Sequence, residues 1–497
     1  MSLASKQLID AGVMAGLIRP ERMPEYELTA RRHRCDVVDV ITQLEGFPRV
    51  ALLRAYAQQS QVPFILPDDY PVDVEALKAL PKSLSRRDVI VLRDGKKRLY
   101  ALGDPQDASI IQTLQRHDPQ AFAKDESQGS VQGLGQELGQ GLVMADAAAI
   151  QMLRAQHLKG PEAAAESTLD AVQLLDELLQ EACLNKASDI HLESRAQGMR
   201  VRIRVDGVLQ SYSRLFTPAE ADAVLTRLKV LSGIDISEKR RPQDGSCEHQ
   251  LTGIRERQLD IRVATIPTRD GERATLRLLG QQQNLTQLSD LGMSSWMLEQ
   301  FRQGITKPHG LILVTGPTGS GKSTTLYSAL RELNTQVLNV MTVEDPVEQF
   351  LDQISQVQVS GQMDFASVLR SFLRHDPDVL LVGEIRDYET ADTALKAAQT
   401  GHLVLSTLHT NDAVGAIARL NDMGCEPYRI ASSLLGVVAQ RLVRRLCAHC
   451  RQAETENAQE ATEYRANGCP HCLGTGYRGR VGVFESLWLD EQMNDDL

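Results

Sequence analysis

The stretch from Gly316 to Ser323 has the residue types that bind a nucleoside triphosphate, since it fits the pattern G-x-x-x-x-G-K-[ST] at every defined position. Glycines let backbone N–H groups approach phosphate oxygens, and a helix that starts at the end of the loop adds partial positive charge. We predict that Lys322 reaches the β- and γ-phosphates and that the Ser323 hydroxyl binds Mg²⁺. The residues predicted to hold the nucleotide are Gly316, Pro317, Thr318, Gly319, Ser320, Gly321, Lys322, Ser323 and Thr324.

The segments on either side of this loop have the patterns of a strand and a helix. Residues 311–315 form a short apolar run that is typical of a buried parallel strand. After the loop, Leu326, Leu330 and Leu333 recur at spacings of four and three, which predicts one apolar helical face. This context disfavours the alternative that a glycine-rich turn matches the pattern by chance.

Two further apolar runs lead to carboxylates. Residues 379–382 precede Glu384, and residues 338–343 precede Glu344. Parallel strands present ligand-binding groups at their carboxyl ends, so we expect both acids beside the phosphates. Hydrolysis needs a carboxylate for Mg²⁺ and a group that orients the attacking water. We assign Glu384 to the metal and Glu344 to the water, and the alternative is that one of them only caps a helix.

A third apolar run, residues 403–406, is followed closely by His409. Two interpretations of this histidine stand open. It senses the γ-phosphate or couples the site to a neighbouring domain, or it is a structural group with satisfied hydrogen bonds.

Two C-x-x-C pairs, with eighteen residues between them, have the spacing of a four-cysteine zinc site. Four thiolates complete a tetrahedral Zn²⁺ shell and leave no open position, which indicates a structural site. We expect this site to attach the intervening loop to the nucleotide domain. A redox dithiol is the alternative, and His449 or His471 could replace one cysteine as ligand. The predicted zinc ligands are Cys447, Cys450, Cys469 and Cys472.

The composition limits the partners of the chain. A length of 497 residues predicts three or more domains. The formal net charge of −11 and an aromatic content of 4% disfavour nucleic acid as a partner. No run approaches the ~18 apolar residues of a membrane span, and residues 1–20 lack the pattern of a signal peptide. We therefore expect a cytoplasmic protein whose membrane contacts go through a partner.

Pattern changes along the chain predict an α/β protein with five segments. Hairpin signals such as Asp94-Gly95 and Asp206-Gly207 mark the α/β parts, and a run rich in Gln, Gly and Ser marks a linker. The segments are a helical module at 1–66, a small α/β module at 67–123, a flexible linker with one helix at 124–166, a second α/β domain at 167–285, and a nucleotide domain at 286–497 with the zinc module at 445–475.

In these motifs the chain resembles the secretion ATPases of bacterial type II secretion systems and the assembly ATPases of type IV pili. The resemblance covers residues 167–485, about two thirds of the chain. It rests on residues 187–193, 204–207 and 242–245, on the phosphate loop, on the aspartate box at 343–348, the Walker B segment at 382–387 and the histidine box at 406–411, and on the paired cysteines.

This resemblance implies a RecA-like P-loop ATPase domain preceded by a PAS-like α/β domain, six-subunit rings, and ATP held between the two domains. Arginines of the preceding domain are expected to reach the phosphates, and Arg204, Arg262 and Arg277 are the candidates. The N-terminal module is expected to dock on inner-membrane platform proteins, which places the motor at the cytoplasmic side of that membrane. Some relatives bind cyclic di-GMP there, but the Arg-Leu-Gly starts are missing here, so we do not expect that ligand.

Two rival functions compete with a motor for secretion or pilus assembly. A nucleic-acid-translocating ATPase with a zinc module is disfavoured by the acidic, aromatic-poor composition. A scaffold that binds ATP without hydrolysing it is disfavoured by the joint presence of Lys322, Glu344 and Glu384.

Overall fold

The chain forms two compact units, Met1–Gln281 with Leu446–Arg478, and Gln282–Arg445 with Gly479–Leu497. None of the described helices is both long enough and apolar enough to span a bilayer. The computed structural model describes residues 3–85, 87–95, 97–122, 141–158, 170–196, 198–212, 214, 216–251, 257–279, 287–333, 335–361, 363–455 and 463–489.

The described residues contain fifteen α-helices and eighteen strands. The helices are α1 Leu3–Met14, α2 Met23–His33, α3 Val37–Glu45, α4 Arg49–Gln59, α5 Val74–Ala79, α6 Ala108–His117, α7 Ala147–Leu158, α8 Ala171–Leu184, α9 Pro218–Leu231, α10 Ser295–Ile305, α11 Lys322–Glu332, α12 Phe365–Phe372, α13 Tyr388–Gln399, α14 Val414–Asp422 and α15 Pro427–Ser433. The strands are β1 Val89–Asp94, β2 Lys97–Leu102, β3 Leu142–Met144, β4 Asp189–Arg195, β5 Gly198–Val205, β6 Val208–Ser211, β7 Gln243–Leu251, β8 Arg257–Thr268, β9 Gly271–Leu279, β10 Gly310–Thr315, β11 Val340–Glu344, β12 Ser355–Gln358, β13 Val379–Val382, β14 Leu403–Leu408, β15 Leu434–Leu446, β16 Gln452–Thr455, β17 Glu463–Arg465 and β18 Tyr477–Trp488.

Helices α1 to α4 form the first module of the first unit. They pack around an apolar core in which Tyr26 and Leu52 are fully buried. The Asp36 side chain caps the start of α3 by accepting a hydrogen bond from the backbone N–H of Val38. Gly46 ends that helix in the left-handed conformation, with a φ of 74°. We refer to α1–α4 as the helical module, and it lies within the segment that the sequence predicts to be helical.

The small α/β module that follows is larger than expected. Strands β1 and β2 form the predicted hairpin, and β3 pairs with β2 in parallel. Helix α7 packs on this sheet through Ile150 and Leu153. The sequence pattern predicts a linker that includes residues 142–144 and α7, but burial of their apolar side chains makes them part of the module. The rest of the predicted linker, residues 124–140 and 159–166, lies outside the described residues.

The second α/β domain is an antiparallel sheet with the strand order β6-β5-β4-β9-β8-β7. One face carries apolar side chains such as Ile190 and Leu276, which are buried with Leu178 of α8 and Leu228 of α9. The alternation along each strand therefore turns the polar side chains to the opposite face.

The second unit is built on a seven-stranded sheet with the order β12-β11-β13-β14-β10-β15-β18. Six of these strands pair in parallel, and β10 lies between β14 and β15. Alternate residues of β10 enter different cores, since Leu313 packs with α12 and α13 while Val314 packs with α11. Helices therefore cover both faces of a parallel sheet, as the alternating pattern of this region predicted.

The cysteine-bearing segment is grouped differently from the predicted boundaries. The sequence predicts it at 445–475 as part of the nucleotide domain, but Leu446–Arg478 belongs to the first unit. It contains the antiparallel ribbon of β16 and β17 and a short 3-10 turn at Pro470–Cys472. The grouping follows from contacts with residues that lie more than four hundred positions earlier in the chain, which no local pattern reports.

Candidate active site and metal centre

The phosphate loop connects β10 to α11, as the motif predicted. Gly316 has a φ of 146°, in the region that favours glycine. A Cβ at this position would lie 2.5 Å from the carbonyl oxygen of Gln440 and 2.6 Å from Ser320 Oγ. Only glycine fits there, and the loop can therefore present its backbone closely to a ligand.

Gln440 on β15 holds the loop in place, a role that the motif did not reveal. Its Nε2 donates to the carbonyl oxygen of Ser320 at 2.7 Å, and its Oε1 accepts from Thr325 Oγ1 at 2.8 Å. Both bonds are buried, so they couple the loop and the first turn of α11 to the central sheet. A polar residue within the apolar run of β15 was the only signal in the sequence.

Lys322 turns back over the loop. Its Nζ donates to the carbonyl oxygens of Gly316 at 2.9 Å and Pro317 at 3.2 Å. Burial lowers the pKa of Lys322 below its ordinary value, and the negative charge of Glu384 opposes that shift. The ammonium group thus lies at the loop within the electrostatic reach of the predicted metal-binding acid.

Glu384 follows β13 and His409 follows the neighbouring strand β14. One carboxylate oxygen of Glu384 is paired with Arg386, and the other lies 3.6 Å from His409 Nε2. Burial lowers the pKa of His409, and the positive charges of Lys322 and Arg386 act in the same direction. The structure therefore brings Lys322, Glu384 and His409 together at the carboxyl edge of the sheet.

Glu344 ends β11 as predicted, but its carboxylate is buried and fully engaged. One oxygen accepts a hydrogen bond from the Tyr327 hydroxyl, and the other accepts from Thr342 Oγ1 at 2.6 Å and Gln356 Nε2 at 3.1 Å. Burial, with Glu344 as hydrogen-bond partner, raises the pKa of Tyr327 above its ordinary value. In this arrangement Glu344 organises its neighbours, and its assignment to the attacking water stays a prediction.

Glu348 is a residue that the assignment of roles missed. It is the second glutamate of the 343–348 segment, it is exposed, and its negative charge acts on Lys322. Its backbone N–H lies 3.1 Å from the Tyr327 hydroxyl, so its position depends on the same network as Glu344. The motif contained this acid, but only the fold distinguishes the exposed carboxylate from the buried one.

The three arginines proposed as phosphate ligands lie in one row across the polar face of the antiparallel sheet. Asp189 of β4 is the register partner of Arg204 on β5 and of Arg277 on β9, and Arg277 is the register partner of Arg262 on β8. We call these four residues the arginine row. Asp189 lies 3.6 Å from Arg204 Nε and 3.2 Å from Arg277 Nε. Arg262 is exposed and forms no ion pair with the described acids.

The four predicted zinc ligands converge in the first unit. Their Sγ atoms all lie within 4.8 Å of one another. The N–H groups of Gly468 and Gly476 point to sulfurs, at 3.3 Å from Cys450 Sγ and 3.2 Å from Cys472 Sγ. Such N–H groups stabilise thiolate, the form that binds Zn²⁺, so the residues fit the metal. All four are free cysteines, and His449 and His471 stack on each other with ring centroids 3.8 Å apart.

Comparison with known proteins gives matches over most of the chain. A family model described as "Type II/IV secretion system protein" matches residues 164–496. Type II secretion system protein E of Klebsiella pneumoniae is 49% identical over 339 residues, which cover 66% of this chain and 67% of that protein. Type IV pilus assembly ATPase PilB of Thermus thermophilus is 38% identical over 484 residues, which cover 92% of this chain and 53% of that protein.

A solved structure supports the fold. The X-ray structure of the Legionella pneumophila ATPase DotB superposes with a TM-score of 0.52 at 24% sequence identity. The superposition covers 66% of this chain and 84% of that one. The α/β architecture inferred from the strand and helix patterns is thereby confirmed.

Proposed function

The chain belongs to the type II/IV secretion system protein family and is a secretion ATPase of that family, and from this premise we propose that it works as a six-subunit motor in type II secretion or type IV pilus assembly. Relatives are named for both systems, at 49% identity for a type II secretion protein and at 38% for a type IV pilus assembly ATPase. The rival function in nucleic-acid translocation is not favoured, because the relatives are secretion and pilus ATPases.

The observation that carries the proposal is the meeting of three groups at one sheet edge. Lys322 sits on the glycine loop, Glu384 follows the next strand but one, and His409 follows the strand between them. Their charges act on one another. At such a sheet edge ATP hydrolysis needs a cation for the phosphate oxygens, an acid for the metal and a group at the γ-phosphate.

Within this site we propose a division of roles. The loop N–H groups and Lys322 bind the phosphates, and Ser323 with Glu384 would hold Mg²⁺, which neutralises phosphate charge when bound. An acid from the 343–348 segment orients the attacking water. The exposure of Glu348 and its electrostatic effect on Lys322 favour it over the buried Glu344 for that task.

The arginine row is proposed to supply the remaining positive charge. Arg204, Arg277 and Arg262 project from the same face of their sheet, and Asp189 holds two of them. Guanidinium groups that are aligned in this way suit the spread negative charge of a transferring phosphoryl group. Domain closure over ATP would then couple turnover to movement of a partner.

The further partners are also proposed. Cys447, Cys450, Cys469 and Cys472 would hold one structural Zn²⁺. The N-terminal modules are proposed to dock on inner-membrane platform proteins, which keeps the motor peripheral to the membrane through its partners. We propose no cyclic di-GMP site, because the expected Arg-Leu-Gly starts are missing.

One experiment tests the motor assignment against its rivals. Steady-state ATP turnover of the purified chain is measured with and without DNA, and in parallel for Glu384→Gln. We expect turnover that DNA does not stimulate at physiological salt, and a Glu384→Gln variant that binds ATP but does not turn it over. Strong stimulation by DNA would support a nucleic-acid translocase. Unaltered turnover in Glu384→Gln would contradict the proposed role of Glu384 in holding Mg²⁺.

A further inference from the structure

The cysteine-bearing segment Leu446–Arg478 touches the helical module within the same compact unit. The contact is made by residues 470–474, which we call the knuckle tip and which includes the ligand Cys472. Nε2 of His471 lies 2.9 Å from the carbonyl oxygen of Ala15, just beyond α1. Because a carbonyl only accepts, this geometry requires the Nε2–H tautomer. Leu473 packs against the apolar core of the helical module.

Arg54 of α4 covers another side of the knuckle tip. A Cβ at Gly474 would lie 2.4 Å from Arg54 Nη1, so the guanidinium group rests directly on the glycine backbone. Gly474 has a φ of 79°, which other residues rarely adopt. The same guanidinium group lies over the Phe64 ring, 5.0 Å from its centroid. Arg54 is therefore held between an aromatic ring and the turn that carries Cys472.

The charge of Arg54 lacks a carboxylate counter-ion in the part of the chain that the structure describes. Its Nε is buried without a hydrogen-bond partner, and no ion pair to a carboxylate is formed among the described residues. Cys472 is the anionic group whose charge acts on it. A half-buried cation without a carboxylate partner is costly, because the charge loses part of its hydration. Four thiolates around one divalent ion would keep a net negative charge, two residues along the chain from the Gly474 backbone on which Arg54 rests.

We propose that the metal-loaded knuckle tip is the docking surface that holds the helical module, with Arg54 as the counter-cation of the four-thiolate cluster. Hydrogen bonds to a ligand sulfur hold the conformation of the tip, since the backbone N–H groups of Cys469 and Gly476 both donate to Cys472 Sγ at 3.2 Å. That conformation presents His471, Leu473 and the Gly474 backbone together. Loss of the metal removes both the shape and the charge that the helical module recognises.

The experiment uses the full chain and follows amide hydrogen exchange by mass spectrometry. Zinc content is measured before and after treatment with a zinc chelator, and exchange is compared in α4 and in the knuckle tip. We expect metal removal to increase exchange in α4 by about tenfold or more, and added Zn²⁺ to restore it. Unchanged exchange in α4 after complete metal loss would overturn the proposal.

Variants separate the effect of the Arg54 charge from the effect of general damage to α4. Arg54→Met should raise exchange in α4 while the chain keeps its zinc, and Arg54→Lys, which preserves the charge, should retain most of the protection. The matched control is Arg49→Met on the same helix, because Arg49 is exposed and lies 3.8 Å from Asp39. Equal effects of the Met and Lys variants, or of the two Met variants, would contradict the role of Arg54.

Discussion

Glu384 and His409 face each other at the ends of two neighbouring parallel strands, with 3.6 Å between a carboxylate oxygen and Nε2. His409 is also close to two cations, Lys322 and Arg386, and its side chain is 49% exposed. Burial and these cations lower its pKa, and their combined effect exceeds that of the carboxylate. The strand ends therefore hold a histidine that favours its neutral form.

The first prediction concerns this histidine. The pKa of His409 in the folded chain should lie below 6.5, the ordinary value for histidine. Because the pKa of His409 is lower in the folded chain than in the unfolded chain, its contribution to the free energy of unfolding is complete above pH 6.5. This contribution is lost as the pH falls from 6.5 through the pKa of the folded chain. The measurement is an NMR titration of the imidazole resonances, with His409→Gln for assignment. A midpoint above 6.5 would mean that the carboxylate dominates.

The second prediction separates phosphate binding from hydrolysis. Lys322→Ala should abolish turnover through weakened ATP binding, because the loop loses its only ammonium group. Glu384→Gln should bind ATP normally and lose turnover. Binding is measured with a fluorescent ATP analogue and turnover by phosphate release. An active Lys322→Ala variant would contradict the assignment of the loop.

The third prediction distinguishes the two glutamates of the 343–348 segment. Glu344→Gln should lower the thermal midpoint of unfolding, since mismatched buried partners cost about 1–3 kcal/mol. Glu348→Gln should leave this midpoint unchanged and reduce kcat by a factor on the order of 10² or more. Calorimetry and steady-state kinetics test both effects. The reverse pattern would return the water-orienting role to Glu344.

The fourth prediction concerns the arginine row. Arg262 is exposed and forms no ion pair with the described acids, so Arg262→Ala should fold normally. If the row reaches the phosphates, its loss should reduce kcat by a factor on the order of 10³. Arg269→Ala, at an exposed turn between β8 and β9, is the matched control and should retain full turnover. Equal turnover of the two variants would exclude Arg262 as a phosphate ligand.

The fifth prediction concerns the metal. Chain purified under reducing conditions without chelator should contain about one zinc ion per chain, because four converging thiolates leave no open position. Cys447→Ser should lower this content, whereas Cys425→Ser, at a buried cysteine outside the cluster, should not. Atomic emission spectroscopy gives the measurement, and metal-free protein would contradict the assignment.

The sequence by itself determined the groups that local spacing controls. Local spacing identifies the phosphate loop, the acids after apolar runs and the two cysteine pairs. It suffices for them because a strand end or a short loop positions neighbouring residues independently of the rest of the chain. The parallel arrangement of the second unit followed from the same alternation of strands and helices.

The tertiary structure decided what depends on pairing between distant segments. Strand register aligned Arg204, Asp189, Arg277 and Arg262, although up to 88 positions separate directly interacting members of the row. Burial distinguished Glu344 from Glu348, and long-range contacts brought Gln440 to the phosphate loop. Contacts of this kind depend on how whole elements pack, so no window of the sequence contains them.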